Sequence, residues 1–273
     1  AIADLLLRGV SDSVSMEIRD GTYTVNEVLY TVPGSSVDKP VIFRSESGNH
    51  DNVNLYHIAA GQSDNYVFYL KGADFIRFYD LGFTSDDTDN ASYSTSLHLF
   101  GGVDHFHMVG CELNGSNSGA TYAALFYAYQ SMGTYRLLDG NIFNLGSRGI
   151  EQSGLSSNTP NKGAMILNNT FNNQRSYGVY CVADDDLKLI GNTVNNSPTY
   201  AFYLQSCDDE LEIKNNKLSG SSYTMYIYSC TGGTGLGTAR GLIANNFVYN
   251  FGSSGSGIYL YSSTNQDVYH NSI

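Results

Sequence analysis

The apolar positions of this chain return in one arrangement every 23 to 30 residues. The clearest copy is Leu187-Lys-Leu-Ile-Gly-Asn-Thr-Val194, and its relatives are Ala164-Met-Ile-Leu-Asn-Asn-Thr-Phe171, Leu211-Glu-Ile-Lys-Asn-Asn-Lys-Leu218 and Gly241-Leu-Ile-Ala-Asn-Asn-Phe-Val248. With the second Asn of each unit as anchor, the series runs Leu81, Cys111, Asn141, Asn169, Asn192, Asn216, Asn246 and Asn271. Three positions earlier stand Phe78, Met108, Leu138, Ile166, Leu189, Ile213, Ile243 and Val268; two positions later stand Phe83, Leu113, Phe143, Phe171, Val194, Leu218, Val248 and Ile273. All of these flanking residues are apolar in a chain that is 41% hydrophobic, so a repeated structural unit sets the pattern. A second strand is predicted before each copy, at Phe68-Tyr-Leu70, Leu97-His-Leu99, Val179-Tyr-Cys181, Phe202-Tyr-Leu204, Met225-Tyr-Ile227 and Ile258-Tyr-Leu260. Side chains alternate along a strand, so the outer two residues of each triplet face inward and the middle one outward.

Strands joined by turns at a mean repeat of about 27 residues predict coils stacked in parallel as one right-handed β-helix solenoid. The hand follows from strand twist and the crossover rule. Stacking places Asn141, Asn169, Asn192, Asn216, Asn246 and Asn271 above one another inside a turn, where each amide bonds its neighbours as an internal Asn ladder. Met16 to Tyr23 reads as a degenerate first copy with Gly21 at the anchor, and Val41-Ile-Phe43 and Val53-Asn-Leu55 read as two further coils. The total is about ten coils, a rod of roughly 50 Å at the ~4.8 Å spacing of neighbouring strands. Residues 1–9 carry Ile2, Leu5 and Leu6 on one helical face, predicting an N-terminal helix that caps the first coil. The turns swell at 153–163 and 231–238, and these insertions must loop out on the surface. The sequence stops at Ile273 within an anchor motif, so the expectation is a truncated end or one covered by another subunit or by further domains of a longer chain. No linker divides residues 1–273, which read as a single domain.

Composition supports an all-β chain: 29 Gly, 22 Tyr and 13 Phe with no Trp and four Pro suit strands and tight turns. A net charge of −12 argues against nucleic acid and against anionic membrane surfaces. No apolar run approaches the ~20 residues that would insert into a bilayer.

The outward residues of the second strand form a column, Tyr69, His98, Tyr180, Tyr203, Tyr226 and Tyr259, with Tyr228 and Tyr261 beside the last two. Three readings of this column stand: cross-strand aromatic pairs that stabilise the sheet, a docking strip for another domain, and a face for a polysaccharide or cell-surface glycan. Cys207 and Cys230 each lie four residues after a column Tyr in adjacent coils, within reach of a disulfide. They either bridge, which indicates an extracytoplasmic setting, or stack reduced as small apolar groups. Cys111 and Cys181 belong to the core. His98 and His107 fall on different sheets, which argues against a shared metal with His105. Lys188 and Glu212 face outward in adjacent coils as a lateral ion pair.

Through units such as Ile166-Leu-Asn-Asn-Thr-Phe171, together with Gly21-Thr-Tyr23 and Pro40-Val-Ile-Phe43, the chain resembles the right-handed β-helix repeat family related in architecture to pectate lyases and polygalacturonases. Within it, the chain is most similar to β-helix segments of large secreted or surface-attached bacterial proteins. Hydrolases of that group carry Asn-x-Asp, Asp-Asp, His-Gly and Arg-x-Lys elements; here Asp-Asp occurs, at Asp86-Asp87, Asp184-Asp185-Asp186 and Asp208-Asp209, but His-Gly and Arg-x-Lys do not. A pectate-lyase-like site needs clustered acids for calcium and a nearby Arg or Lys as base. Asp184, Asp185, Asp186, Asp208, Asp209 and Glu210 fall in the same turn of adjacent coils and are the candidate calcium ligands; the alternative is a solvated acidic turn. These motifs specify the fold and leave the activity open; the function expected is a non-catalytic secreted or cell-surface rigid rod for adhesion or assembly, and the competing reading is a calcium-dependent polysaccharide lyase or another polysaccharide-acting enzyme.

Overall fold

The computed structural model describes residues 2–87, 92–117, 120, 123–233 and 239–273. Three parallel sheets wrap one continuous core. The first runs through ten strands from Val14–Ile18 to Gln266–Tyr269, the second through nine from Gly21–Thr24 to Phe247–Asn250, and the third through nine from Glu27–Tyr30 to Ser256–Tyr261. Each coil contributes one strand to each sheet in turn, so the chain is a right-handed parallel β-helix with ten coils among the described residues, the tenth represented by its first-sheet strand.

The two predicted apolar series become two columns. Phe78, Met108, Leu138, Ile166, Leu189, Ile213, Ile243 and Val268 pair in register along the first sheet. Phe83, Leu113, Phe143, Phe171, Val194, Leu218 and Val248 do the same along the second. Ile273 ends outside both and is 78% exposed. The anchor motif is therefore two short strands meeting at a corner. Its bend lies one residue before the anchor, where Asp80, Gly110, Gly140, Asn168, Gly191, Asn215, Asn245 and His270 all have φ between 53° and 71°. That left-handed region is open to Gly and more accessible to Asn, Asp and His than to branched residues, which is why the motif reads Asn-Asn or Gly-Asn. The first residue turns the chain and the second fills the corner.

The corner asparagines from Asn141 to Asn246 are buried and bonded to the coils on both sides; Asn271 is half-buried. The backbone N–H of each donates to Oδ1 of the next, from Cys111 to Asn141 (2.9 Å) and on through Asn169 (2.9 Å), Asn192 (3.0 Å), Asn216 (2.8 Å), Asn246 (3.0 Å) and Asn271 (3.0 Å). Each Nδ2 also donates to a carbonyl of the coil before, such as Asn192 to Ile166 O at 2.8 Å. Phenylalanines fill the interior, including the face-to-face pair Phe143 and Phe171 with ring centroids 4.8 Å apart. Fully burying such side chains contributes about 1.5–3 kcal/mol each, but without direction. The amides carry the direction, because a slipped coil would leave buried donors and acceptors unpaired. A second column on the outer face of the second sheet, Asn114, Asn144, Asn172 and Asn195, is joined amide to amide at 2.9 Å per step.

Several expectations change. Val41–Ser45 lies on the first sheet and Val53–Ala59 on the second, so these segments are two faces of one coil, not two coils. Cys207 and Cys230 are free, buried thiols. They stack along the rod with the Cys207 N–H pointing at Cys230 Sγ (3.4 Å), while each Sγ contacts a carbonyl of its own strand, so the column position is one of small buried groups and not of a bridge. The helix Ile2–Arg8 buries Leu5 and packs Ile2 and Leu6 on the core. The insertion at 153–163 forms a short strand, Asn161–Lys162, beside Asp184–Asp185. Of the second insertion, residues 234–238 lie outside the described residues.

Replacing Asn192 by Ala leaves the Asn169 N–H buried without its partner, at about 1–3 kcal/mol, and removes the amide bonds to the Ile166 carbonyl and Asn216. Guanidinium unfolding should show a clear drop in midpoint for this variant and little change for Asn195→Ala on the outer column.

Candidate ligand-binding face

The outer face of the third sheet is built by a repeated local pattern: Tyr177-Gly-Val-Tyr180, Tyr200-Ala-Phe-Tyr203 and Tyr223-Thr-Met-Tyr226. In each, the two tyrosines are half-buried at the surface and both residues between them are buried. Two successive inward residues break simple alternation, and the first must be small. A Cβ on Gly178 would meet Ala201 O at 2.8 Å, and one on Gly149 in the preceding coil would meet a Phe171 ring carbon at 2.4 Å. Two aromatic columns result. Tyr177, Tyr200 and Tyr223 form one that alternation had not predicted; the spacing of three between tyrosines in successive copies is the signal that marks it.

The predicted column extends through Tyr127 and pairs in register with Glu151 at its centre. Tyr69 stacks on His98 at 4.2 Å, Tyr180 on Tyr203 at 4.9 Å, Tyr203 on Tyr226 at 5.3 Å, Tyr226 on Tyr259 at 5.4 Å and Tyr228 on Tyr261 at 5.4 Å, with planes within 20° of parallel. Rings this close and this parallel lie against one another along the rod. Their faces are used in mutual stacking, and the surface presents edges and hydroxyls instead of the flat platform that the sequence suggests. Burial and neighbouring phenols push the Tyr203 hydroxyl up to about 12, so it stays protonated and donates to Gln205 Oε1 at 2.9 Å.

The stack is interrupted at Glu151. Arg148 pairs with it and also lies over Tyr177 (5.3 Å) and Tyr180 (4.8 Å). Beside this break opens a cleft of 320 Å³, with Tyr129, Gln130, Tyr180 and Gln205 along its floor and the 153–157 insertion as its wall. Tyr129 is 41% exposed and stacks parallel to Tyr127.

The acids of the turn, read as candidate calcium ligands, face different partners. Among the described residues its carboxylates do not converge on one point. Asp184 points inward and is fully buried, accepting from Gln152 Nε2 (2.5 Å) and Asn161 Nδ2 (3.3 Å). Asp185 accepts the Asp208 N–H (3.1 Å), Asp186 accepts the Glu210 N–H (3.3 Å), and Asp208 accepts the Thr231 N–H (2.7 Å). These carboxylates tie one coil to the next, as Asp74 and Asp104 do earlier. The ammonium of Lys162, 3.4 Å from Asp186 and 4.0 Å from Asp209, supplies the local positive charge.

Behind Asp184 lies a buried polar group that the sequence did not reveal. Arg136 is enclosed in the core, donates through Nη2 to Ser131 Oγ (2.6 Å), and fits because Gly133 leaves room for its guanidinium. Burial pushes Asp184 up to about 7, opposed by the Arg136 charge, and lowers Arg136 to about 10. His98, on the third sheet, and His107, on the first, are both held down near 4 by burial and nearby cations. Lys188 and Glu212 form the expected lateral pair at 3.8 Å.

Three parallel sheets closed round a single core, with a surface face and no membrane-crossing helix among the described residues, define a parallel β-helix protein. The chain belongs to the family described as periplasmic copper-binding protein (NosD), whose profile matches residues 85–273, and that description agrees with the extracytoplasmic setting expected from the sequence. Solved structures similar to this chain include pectin methylesterase from Aspergillus niger in penultimately deglycosylated form, at 13% identity and a TM-score of 0.44, covering 97% of this chain and 81% of that one. The deglycosylated form of the same enzyme aligns at 13% identity and a TM-score of 0.43 over 96% of this chain and 78% of that one. A pectin methylesterase in complex with hexasaccharide VII aligns at 11% identity and 0.38 over 95% and 76%. A search of the curated proteins gives no match.

Copper draws on thiolate or thioether ligands as Cu(I) and on imidazole as Cu(II). The cysteines do not fit: all four are buried, and burial pushes the Cys111 thiol up to about 12 and raises Cys181 and Cys207, which disfavours the ligating thiolate. An imidazole with carboxylates does fit, and among the described residues His50, Asp51 and Glu112 bring such donors within 4.8 Å of one another.

The raised Asp184 has a definite effect on stability. Its folded pKa lies above the ordinary 3.8, so the folded state holds the proton more tightly than the unfolded chain, and stability falls as pH rises from about 4 to about 7. Asp185, raised to about 6, acts with the same sign. Melting curves across this window should decline less steeply for Asp184→Asn than for the parent, with the two running parallel above pH 7.5.

Proposed function

We propose that this extracytoplasmic β-helix is a non-catalytic, glycan-binding rod, and that the sugar lies in the cleft between the tyrosine stack and the 153–157 wall. The observation that carries this reading is the meeting of an exposed ring, Tyr129, with the polar groups of Gln130, Ser153, Tyr180 and Gln205 in one concave site. Sugars bind where an aromatic face covers their C–H patch and amides and hydroxyls reach their hydroxyls. Tyr129 supplies the face: its ring stacks against Tyr127 at 6.0 Å between centroids and is 41% exposed, which leaves the opposite side for a sugar. Among the described residues the cleft is lined by no Asp, Glu, Lys, Arg or His; its polar groups are amides, hydroxyls and the phenols of Tyr129 and Tyr180, which suit the recognition of sugar hydroxyls. This favours binding over a lyase reaction. The rest of the tyrosine stack stiffens the rod, each cross-strand aromatic pair adding about 0.2–1 kcal/mol.

Affinity electrophoresis against neutral and acidic polysaccharides tests the proposal. Retention by a neutral glycan should fall at least tenfold in Tyr129→Ser and in Gln205→Ala, with no ultraviolet-absorbing unsaturated product. Tyr203→Ser with Tyr226→Ser should lower the melting temperature and leave retention largely intact. Retention that survives Tyr129→Ser and vanishes with Tyr203 and Tyr226 would assign the sugar to the column instead.

A further inference from the structure

We infer that His50, Asp51 and Glu112 form a binding site for a single first-row divalent metal ion of borderline character, of the Zn(II) or Cu(II) type. The site joins residues from coils that are not adjacent. His50 and Asp51 sit in the 3-10 turn His50–Asn52, which is capped by Asn49 Oδ1 accepting the Asp51 N–H at 3.1 Å and leads into the strand Val53–Ala59. Glu112 opens a strand two coils further along the second sheet. Between them in register stands Gly82, paired with Asn54 on one side and Glu112 on the other. A Cβ at Gly82 would lie 2.7 Å from Val53 O and 2.9 Å from His50 O. A glycine there lets the turn settle onto the sheet, and the imidazole then spans the intervening coil to reach Glu112.

The donor atoms converge. His50 Nδ1 is 3.2 Å from Asp51 Oδ1 and 3.2 Å from Glu112 Oε2. It is a buried atom with no hydrogen-bond partner, facing two carboxylates. Among the described residues no lysine or arginine pairs with either acid, in contrast to the acidic turn, where Lys162 supplies the charge. Nitrogen and oxygen ligands at 2.0–2.2 Å from a tetrahedral ion stand about 3.4 Å from one another, so the imidazole–carboxylate spacings are already close to those of a loaded site. The second oxygen of Glu112 is held from behind: Oε1 accepts from Asn144 Nδ2 at 2.7 Å, and Asn144 is itself fixed in the outer asparagine column through Asn114 and Asn172. Such outer partners orient metal ligands and are worth about 10- to 100-fold in affinity. One nitrogen and two carboxylates, with the remaining positions open to water, match Zn(II) or Cu(II), whereas Ca(II) needs six to eight oxygens. Cu(II) should bind the tightest of the series.

The test uses the whole chain stripped with chelator, titrated by calorimetry at neutral pH with Cu(II), Zn(II), Ca(II) and Mg(II) separately. The expected result is one Cu(II) or Zn(II) per chain, a rise in melting temperature, and no response to Ca(II) or Mg(II). Glu112→Gln and His50→Gln should each weaken binding at least tenfold, Asn144→Ala about tenfold, and Asp186→Asn in the acidic turn not at all. The Cu(II) paramagnetic resonance spectrum should show coupling to a single imidazole nitrogen that disappears in His50→Gln. All three residues are on the surface, and unchanged melting of the metal-free variants verifies that the fold is retained. Absence of binding, or binding that persists equally in Glu112→Gln and His50→Gln, would overturn the inference and leave the cluster as a histidine balanced by two acids.

Discussion

Everything in this rod depends on buried amides that can be satisfied only by a neighbouring coil in correct register. A parallel stack of apolar columns tolerates sliding, because hydrophobic burial has no preferred direction. The corner asparagines remove that freedom: Asn192, for example, takes the Asn169 N–H on its Oδ1 and reaches the Ile166 carbonyl of the same preceding coil through Nδ2, which also donates to Asn216 Oδ1 in the next coil. The left-handed residue before each anchor makes this geometry possible, since it turns the chain so that the amide points into the corner. The other corners follow the same logic with other chemistry. Asp74, Asp104, Asp185 and Asp208 pass a backbone N–H from coil to coil where the third sheet returns to the first.

Because the coils stack at strand spacing, surface side chains also stack, and this decides what the surface can bind. Tyrosines repeated at that spacing close up on one another and lose their faces. Binding character appears where the repeat fails. Glu151 breaks the tyrosine column, Arg148 covers the exposed ring face beside it, and the 153–163 insertion rises over the gap. Gly82 is a comparable irregularity on the second sheet, letting a turn collapse onto the sheet and place His50 against Glu112. In a solenoid the regular positions hold the scaffold together and the exceptions carry the candidate chemistry.

The acidic character of the chain is distributed by the same principle. Six acids within one turn suggest a calcium site when read as a line of letters, yet the turn assigns them to different tasks. Asp184 is drawn into the core beside Arg136, the next residues serve as acceptors for the following coil, and Lys162 from the insertion neutralises the rim. Two acids and one histidine from segments some sixty residues apart in sequence make the tighter donor set.

The fold was legible in the chain's periodicity. The spacing of apolar pairs around an Asn anchor gave the coil, the parallel stacking, the inward and outward residues of the second strand and the positions of the corner asparagines, because these are properties of local periodicity repeated many times. The first tyrosine column was legible for the same reason. Tertiary structure alone decided the rest. Whether rings lie flat or edge-on depends on the distance to the next coil, whether Asp184 faces water or Arg136 depends on the short strand formed by an insertion, and whether Cys207 and Cys230 bridge depends on which groups their Sγ atoms face. The meeting of His50 with Glu112 depends on a glycine in the coil between them. None of these is periodic, so no repeat announces them, and each is fixed only when distant segments come within contact of one another.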